Sequence, residues 1–199
     1  MIDRPDPAEA ATAEPDEYAG EQHVSRRRLG VLLAVAAGAL IVDIATKTLA
    51  VAQLSDAEPI RLLDGGLFLT LARNTGAAFS MGSNMTIVFT FVMIVVITVI
   101  ALVARRVRSL PWAIALGLIM GGASGNLVDR LFRSPAPLKG GVVDFLSVFD
   151  PWGQVWPIFN LADVFIVSGG ILAVTLTISG REIDGTRPRR DAKARKESS

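Results

Sequence analysis

Long apolar runs separated by short polar segments dominate the chain. Four runs are long enough to cross about 30 Å of bilayer hydrocarbon as helices, and they cover residues 29–50, 86–104, 110–131 and 159–179. Between the first two runs, two short apolar segments flank Asp64-Gly65-Gly66, which predicts a pair of strands at 60–63 and 67–72. The segment 134–157, rich in Pro, Gly and aromatic residues, predicts a loop or a short interfacial stretch. The pattern therefore predicts an all-α membrane protein with four transmembrane helices and a small β element outside the bilayer.

Basic clusters flank the apolar runs on one side. Arg26-Arg27-Arg28 precedes the first run, Arg105-Arg106 with Arg108 joins the second to the third, and a basic tail follows the fourth. Since Lys and Arg accumulate on the cytoplasmic side of membrane proteins, we expect both termini to be cytoplasmic. The segments 51–85 and 132–158 then lie on the extracytoplasmic side.

The composition supports a membrane protein and divides the chain into three parts. Hydrophobic residues make up 51% of the chain and the mean hydropathy is +0.45. Residues 1–24 hold seven acids against Arg4 and predict a disordered acidic tail, whose start is unlike a signal peptide. Residues 181–199 hold seven basic residues against four acids and predict a flexible basic tail near anionic lipid. Residues 25–180 form the predicted membrane domain.

The absence of cysteine removes several kinds of catalytic site. The chain has no Cys and one His, His23, which lies in the acidic tail. A Cys nucleophile is excluded, a Ser-His-Asp triad would have to recruit a residue from the tail, and zinc sites built on His and Cys are excluded in the same way. Catalysis would therefore fall to Asp, Asn, Ser, Lys and Arg.

Polar clusters interrupt the apolar runs although a carboxylate in a bilayer costs several kcal/mol. At about 1.5 Å rise per residue, Asp43 lies roughly 20 Å into the first span, in the outer leaflet. The predicted orientation brings the other clusters to the same end of the molecule. They comprise Asp43 with Lys47, Asn126 with Asp129 and Arg130, Asp144, and Asn160 with Asp163. A proton or ion pathway would spread its acids across the membrane, whereas these converge at one surface.

Some of these polar residues have structural interpretations. Asn160 and Asp163 have the spacing of a helix N-cap and its N3 acid. Asp129 falls at a helix C-terminus, where the helix dipole disfavours a negative charge. It therefore needs a basic partner, either Arg130 or another residue.

Other polar residues have similarly simple interpretations. Asp43 and Lys47, four residues apart on one helix, would neutralise each other. Asn74 fits a turn. Arg73 and Arg130 fit anchors at the membrane interface.

Five motifs in order resemble the bacterial lipoprotein signal peptidases, also called signal peptidase II. They are Asp43-Ile-Ala-Thr-Lys47, Asn74-Thr-Gly-Ala-Ala-Phe79, Gly125-Asn-Leu-Val-Asp-Arg130, Val142-Val-Asp-Phe145 and Phe159-Asn-Leu-Ala-Asp163. The resemblance covers about residues 29–180, although segment 131–140 is longer than in many members. It implies an aspartic intramembrane protease that removes signal peptides from prolipoproteins carrying a diacylglyceryl group on cysteine. Cleavage is implied on the N-terminal side of that cysteine, at the outer face of the bacterial cytoplasmic (inner) membrane.

The resemblance also implies roles for individual residues. Asp144 and Asp163 match the catalytic pair. Residues implied to bind substrate or support the site are Asp43, Lys47, Asn74, Gly76, Asn126, Asp129, Arg130 and Asn160. Water would be the nucleophile, so no metal or organic cofactor is implied. The implied partners are prolipoproteins and membrane lipid, with no nucleic acid, and we expect a monomer.

Hydrolysis by two carboxyl groups requires one ionised and one protonated partner, because two carboxyls that share a site do not both ionise readily. Asp163 is expected near a helix N-terminus, where the dipole favours negative charge. We therefore assign the ionised role to Asp163. The surroundings of Asp144 do not follow from the sequence.

Two other functions stay open at this point. One is a Ser-Lys protease that uses Lys47 or Lys139 with Ser80 or Ser124, since a desolvated Lys is able to act as a base. The other is a non-catalytic transporter or assembly subunit that uses the acids for ion coupling. The clustering at one face and the lack of an internal repeat count against the second.

Overall fold

A computed structural model describes the backbone of residues 15–75 and 85–186, and the side chains of residues 27–75 and 86–186. Its helices are α1 (Pro15–Leu54), α2 (Met85–Val103), α3 (Leu110–Phe132) and α4 (Leu161–Ile178), and its strands are β1 (Ile60–Leu62), β2 (Leu67–Asn74) and β3 (Val142–Val148). Each of the four helices contains a segment long and apolar enough to cross a membrane. The predicted helical membrane protein with four spans and a small sheet is therefore confirmed.

Helix α1 begins earlier than the sequence predicts. It includes residues 15–24, which belong to the acidic segment that the sequence predicts to be disordered. Pro15 is tolerated in a first turn, and the Ala, Glu and Gln residues that follow favour helix. Residues 1–14 lie outside the described part of the chain.

The start of the basic tail contacts the rest of the protein. The Trp112 indole Nε1 donates to the Arg181 carbonyl at 2.8 Å, and the Arg108 amide donates to the Ile183 carbonyl at 3.0 Å. Residues 181–183, at the start of the segment predicted to be a flexible tail, therefore contact the first turn of α3 and the loop before it. Residues 187–199 lie outside the described part.

The largest difference from the sequence prediction is strand β3, within the segment predicted as a loop. It pairs antiparallel with β2, in a sheet of order β1-β2-β3. Its sequence, Val-Val-Asp-Phe-Leu-Ser-Val, is rich in strand-forming residues, and it satisfies backbone groups of β2 that would otherwise form an open edge. The register places Ala72 opposite Asp144.

Helix α3 lies between α1 and α4, and its glycines permit close packing. A Cβ on Gly117 would lie 2.8 Å from the Leu32 carbonyl oxygen, and one on Gly121 would lie 2.6 Å from that of Ala36. Beneath the sheet, the buried apolar residues Ala50, Leu54, Val143 and Phe145 form a cluster. The sheet thus packs on the C-terminal end of α1 and brings β3 close to the start of α4.

Candidate active site

Asp144 lies on β3 with its side chain buried in the fold. Its side chain is only 2% exposed. Asn160 Nδ2 donates to Asp144 Oδ1 at 2.6 Å, and the Asn74 side chain forms a second hydrogen bond to the carboxyl group. Two amides from other elements therefore fix this carboxyl group.

Asp163 lies in the first turn of α4 and belongs to a capping box. Its amide donates to Asn160 Oδ1 at 3.1 Å, and its own Oδ2 accepts from the Asn160 amide at 3.1 Å. Asn126 Nδ2 donates to Asp163 Oδ1 at 2.9 Å. The predicted cap at Asn160 is confirmed, and Asn160 contacts both carboxyl groups.

Burial changes the ionisation of Asp144. Burial, and to a smaller extent the charge of Asp163, raise the pKa of this carboxyl to about 7. The hydrogen bonds from Asn74 and Asn160 oppose the rise, since they favour the ionised form. Near neutral pH, Asp144 is therefore protonated in a substantial fraction of the protein molecules.

An ion-pair network lies behind the two carboxyls. Lys47 Nζ lies 2.7 Å from Asp43 Oδ2 and 3.0 Å from Asp129 Oδ2. The same ammonium group donates to Asn126 Oδ1 at 2.8 Å. Lys47 is 1% exposed and Asp43 is 0% exposed, so each charge depends on its partners. The predicted pairing of Asp43 with Lys47 is confirmed.

Asp43 and Asp129 each accept a hydrogen bond from a backbone amide next to a candidate catalytic acid. Asp43 Oδ1 accepts from the Ala162 amide at 3.0 Å, next to Asp163. Asp129 Oδ2 accepts from the Val143 amide at 3.1 Å, next to Asp144. Lys47 thus links the start of α4 to β3 through two carboxylates.

The basic partners of Asp129 do not include Arg130. They are Lys47 and Arg133, whose Nε contacts Asp129 Oδ1. Arg130 instead donates through Nη1 to the carbonyls of Asn74 and Gly140, each at 2.9 Å. Neighbouring helix residues point in different directions, whereas residues four apart share a face. That spacing was the available signal for Arg133, which the sequence analysis missed.

A cavity of about 170 Å³ opens onto both candidate catalytic acids. Predicted site residues in its lining are Asn74, Asn126, Arg130, Asp144 and Asp163. Asp43, Lys47, Asp129 and Asn160 lie outside the lining, and Gly76 lies outside the described residues. The lining also includes Phe89, Met93 and Val142, which the sequence analysis missed because apolar residues of a span carry no distinguishing pattern. Across the described residues, no group of three or more His, Asp and Glu side chains has a metal-binding arrangement.

Comparison with known proteins gives matches over most of the chain. Residues 35–179 match the family model described as signal peptidase (SPase) II. The chain is 46% identical to a lipoprotein signal peptidase of Streptomyces coelicolor, over 92% of this chain and 88% of that one. It is 47% identical to one of Mycobacterium avium, over 90% of this chain and 96% of that one.

Solved structures give a matching fold. One is a bacterial membrane enzyme determined by the in meso method at 2.3 Å resolution, with a TM-score of 0.64 and 26% identity. The alignment covers 75% of this chain and 88% of that one. A second bacterial membrane enzyme, determined by the same method at 1.9 Å resolution, has a TM-score of 0.63 and 27% identity, over 74% of this chain and 92% of that one.

Proposed function

The chain belongs to the signal peptidase II family, and from that premise we propose that it is an aspartic endopeptidase acting on diacylglyceryl-modified prolipoproteins. It cleaves on the N-terminal side of the lipidated cysteine. The observation that carries this proposal is the pairing of Asp144 and Asp163 on one cavity, with amide groups holding each carboxyl. Water is the nucleophile, and the reaction uses no metal or organic cofactor.

In the proposed reaction the two carboxyl groups have opposite roles. Asp163 is ionised and takes a proton from water as the water oxygen attacks the scissile carbonyl carbon. Asp144 is protonated and donates to the carbonyl oxygen. When the tetrahedral intermediate collapses, the carbon–nitrogen bond breaks and the proton on Asp163 passes to the leaving amine. Asp144 takes back a proton from a hydroxyl group of the intermediate as the carbonyl re-forms, so both carboxyls return to their starting states.

Two features of the site support this division of roles. Asp163 lies at a helix N-terminus, where the dipole favours a carboxylate. Asp144 is almost fully buried and its pKa is raised to about 7. A buried carboxyl with a raised pKa is the pattern expected of the general acid in such a pair.

The proposed roles of the remaining polar residues follow from their contacts. Asn74, Asn126 and Asn160 orient the carboxyl groups. The larger framework of Asp43, Lys47, Asp129 and Arg130 fixes the elements that carry them. Phe89 and Met93 provide apolar walls for the substrate beside the acids.

We also propose that the protein is a monomer of the bacterial cytoplasmic membrane, with both termini inside and the site on the extracytoplasmic side. The basic flanks support this orientation through the positive-inside preference. Residues 25–180 make up the peptidase domain, and the charged tails extend into the cytoplasm. A substrate would then present its signal helix in the bilayer and its lipidated cysteine at the depth of the two acids.

The Ser-Lys alternative is weakened by the contacts of Lys47. Its ammonium group contacts two carboxylates and an amide oxygen, so its three N–H donors already have partners within the network. None of these partners is a serine.

Cleavage of two matched precursors by purified protein tests the proposed function. One precursor carries the diacylglyceryl group on cysteine, and the other has the same sequence with an unmodified cysteine. We expect cleavage of the lipidated precursor alone, with mass spectrometry locating the new N-terminus at the modified cysteine. Cleavage elsewhere, equal cleavage of both precursors, or none of the lipidated one would contradict the proposal.

A further inference from the structure

A second cavity, of about 430 Å³, lies where the end of α3 meets strands β2 and β3. We call it the arginine pocket, and its lining residues are Arg73, Thr75, Phe132, Arg133, Ser134 and Gly141. Neither Asp144 nor Asp163 belongs to this lining. The pocket is therefore separate from the cavity assigned to peptide hydrolysis.

The lining of the arginine pocket carries positive charge without an acidic residue. Within the described part of the chain, the Arg73 guanidinium forms no ion pair. Arg133 pairs with Asp129 through Nε, and its guanidinium group carries two further nitrogens. Guanidinium groups bind phosphate through paired, charge-assisted hydrogen bonds. Thr75 and Ser134 add hydroxyl groups that also suit an anion.

The position of the pocket indicates where the anion comes from. Phe132 is the last residue of α3, a candidate span, and its side chain is 80% exposed. An exposed aromatic ring at the end of a membrane helix suits the boundary between acyl chains and headgroups. The two arginines lie beside that ring. The pocket thus places two arginines beside an exposed apolar ring at the end of a candidate span.

We propose that the arginine pocket binds the phosphate of an anionic membrane phospholipid. The phosphate lies between Arg73 and Arg133, the headgroup occupies the cavity, and the acyl chains pass Phe132 into the bilayer. Arg133 also holds Asp129, whose other oxygen accepts from the Val143 amide. The bound lipid therefore contacts a residue that supports the strand of Asp144.

The space in the pocket depends on Gly141. A Cβ there would lie 3.5 Å from Arg73 Cβ and 3.7 Å from Thr75 Cγ2. A larger side chain at this position would contact these residues and occupy part of the cavity. Gly141→Val therefore tests the role of the cavity without changing any charge.

Lipid binding by the purified full-length chain tests the proposal. The protein is placed in nanodiscs of phosphatidylcholine and titrated with fluorescent phosphatidylglycerol. We expect Arg73→Gln to weaken binding by about tenfold, since one charge-assisted interaction is lost. Gly141→Val and Arg133→Gln should also weaken it. Thermal unfolding in the same nanodiscs verifies that each variant is folded.

Arg61→Gln is the matched control. Arg61 is an exposed arginine of β1 in the same sheet, and it donates to the Asp64 carbonyl at 2.6 Å. The Arg61→Gln substitution removes an equal charge outside the pocket. The phosphatidylglycerol affinity of this variant should therefore equal that of the unsubstituted protein. Equal affinities for the Arg73→Gln and Arg61→Gln variants would overturn the proposal.

Inorganic phosphate distinguishes a lipid site from a site for a soluble anion. Phosphate that displaces the fluorescent lipid at equal concentration would overturn the assignment to phospholipid. The Asp144→Asn variant should bind the lipid with unchanged affinity. Failure of the cleavage experiment would therefore leave the lipid proposal intact. Failure of the lipid-binding experiment would likewise leave the proposed peptidase function intact.

Discussion

Asp144 and Asp163 line one cavity but lie in unlike surroundings. Asp144 is on a buried strand and Asp163 is in the first turn of a helix. Asn160 contacts both side chains, so the difference between them comes from burial and the helix dipole. At the scale of single residues, this asymmetry is the physical basis for assigning one acid and one base.

The sequence predicted which polar residues gather, but not how Asp144 is buried. The capping spacing of Asn160 and Asp163 is local, so it was readable and is confirmed. The environment of Asp144 depends on Asn74 and Asn160. Asn74 lies 70 residues before Asp144 in the chain, and Asn160 lies 16 residues after it. Such contacts arise only when the sheet and helices pack.

The pH dependence of cleavage follows from the raised pKa of Asp144. As the proposed acid, Asp144 must be protonated, so kcat/KM should fall as pH rises through about 7. The Asn74 hydrogen bond favours the ionised form. Asn74→Ala should therefore raise the pKa and move this decline to higher pH.

Kinetics across the pH range give the measurement, with exposed Gln154→Ala as the control. The control should leave the decline in place. A decline that moves to lower pH in the Asn74→Ala variant would show that the sign of the argument is wrong.

Asn160 combines a structural and a site role that two substitutions separate. Asn160→Ala should lose about 1 kcal/mol of stability with the cap and reduce kcat/KM about tenfold with the donor to Asp144. Asn160→Ser retains an oxygen for the Asp163 amide but is too short to reach Asp144. Its unfolding temperature should recover while its activity stays low. Recovery of both by Ser would mean that Asn160 acts only as a cap.

At the scale of elements, the four helices were predictable and the third strand was not. Helix spans are continuous apolar runs, so hydropathy located them within a few residues. Strand β3 is 7 residues long and lies between Gly- and Pro-containing segments. Its structure depends on pairing with β2, a partner about 70 residues earlier in the chain. Local pattern alone does not contain that pairing.

Adjacent glycines of α4 give a matched test of helix packing. A Cβ on Gly169 would lie 2.7 Å from the Ala115 carbonyl oxygen of α3, whereas a Cβ on Gly170 would meet nothing within 4 Å. Gly169→Ala should destabilise the protein by about 1–3 kcal/mol through overpacking. Gly170→Ala should be neutral or slightly stabilising, because Ala favours helix. Unfolding in detergent compares the two, and equal stability of both variants would contradict the packing described for α3 and α4.

At the scale of the whole molecule, four candidate spans bring the polar residues of three helices and one strand to the same end. The order of helices and strands follows from the apolar pattern, and the family follows from the motifs. The side of the membrane on which the site lies is a separate prediction from the basic flanks.

Cysteine labelling tests this orientation cleanly because the chain has no native cysteine. Gln154→Cys lies in the exposed segment after β3, and Glu182→Cys lies in the exposed segment after α4. On intact cells, a membrane-impermeant maleimide should label position 154 and should reach position 182 only after permeabilisation. The opposite pattern would reverse the proposed orientation.

The central claim is that Asp144 and Asp163 together activate one water for prolipoprotein cleavage. Its most direct test is the rate at which purified protein cleaves a diacylglyceryl-modified precursor, compared among Asp144→Asn, Asp163→Asn and Asp64→Asn variants. Asp64→Asn is the control because this acid is exposed in the turn between β1 and β2. We expect each of the first two variants to lose at least about 100-fold in rate while remaining folded, and the control to retain full activity. Near-normal cleavage by folded Asp144→Asn or Asp163→Asn protein would contradict the account.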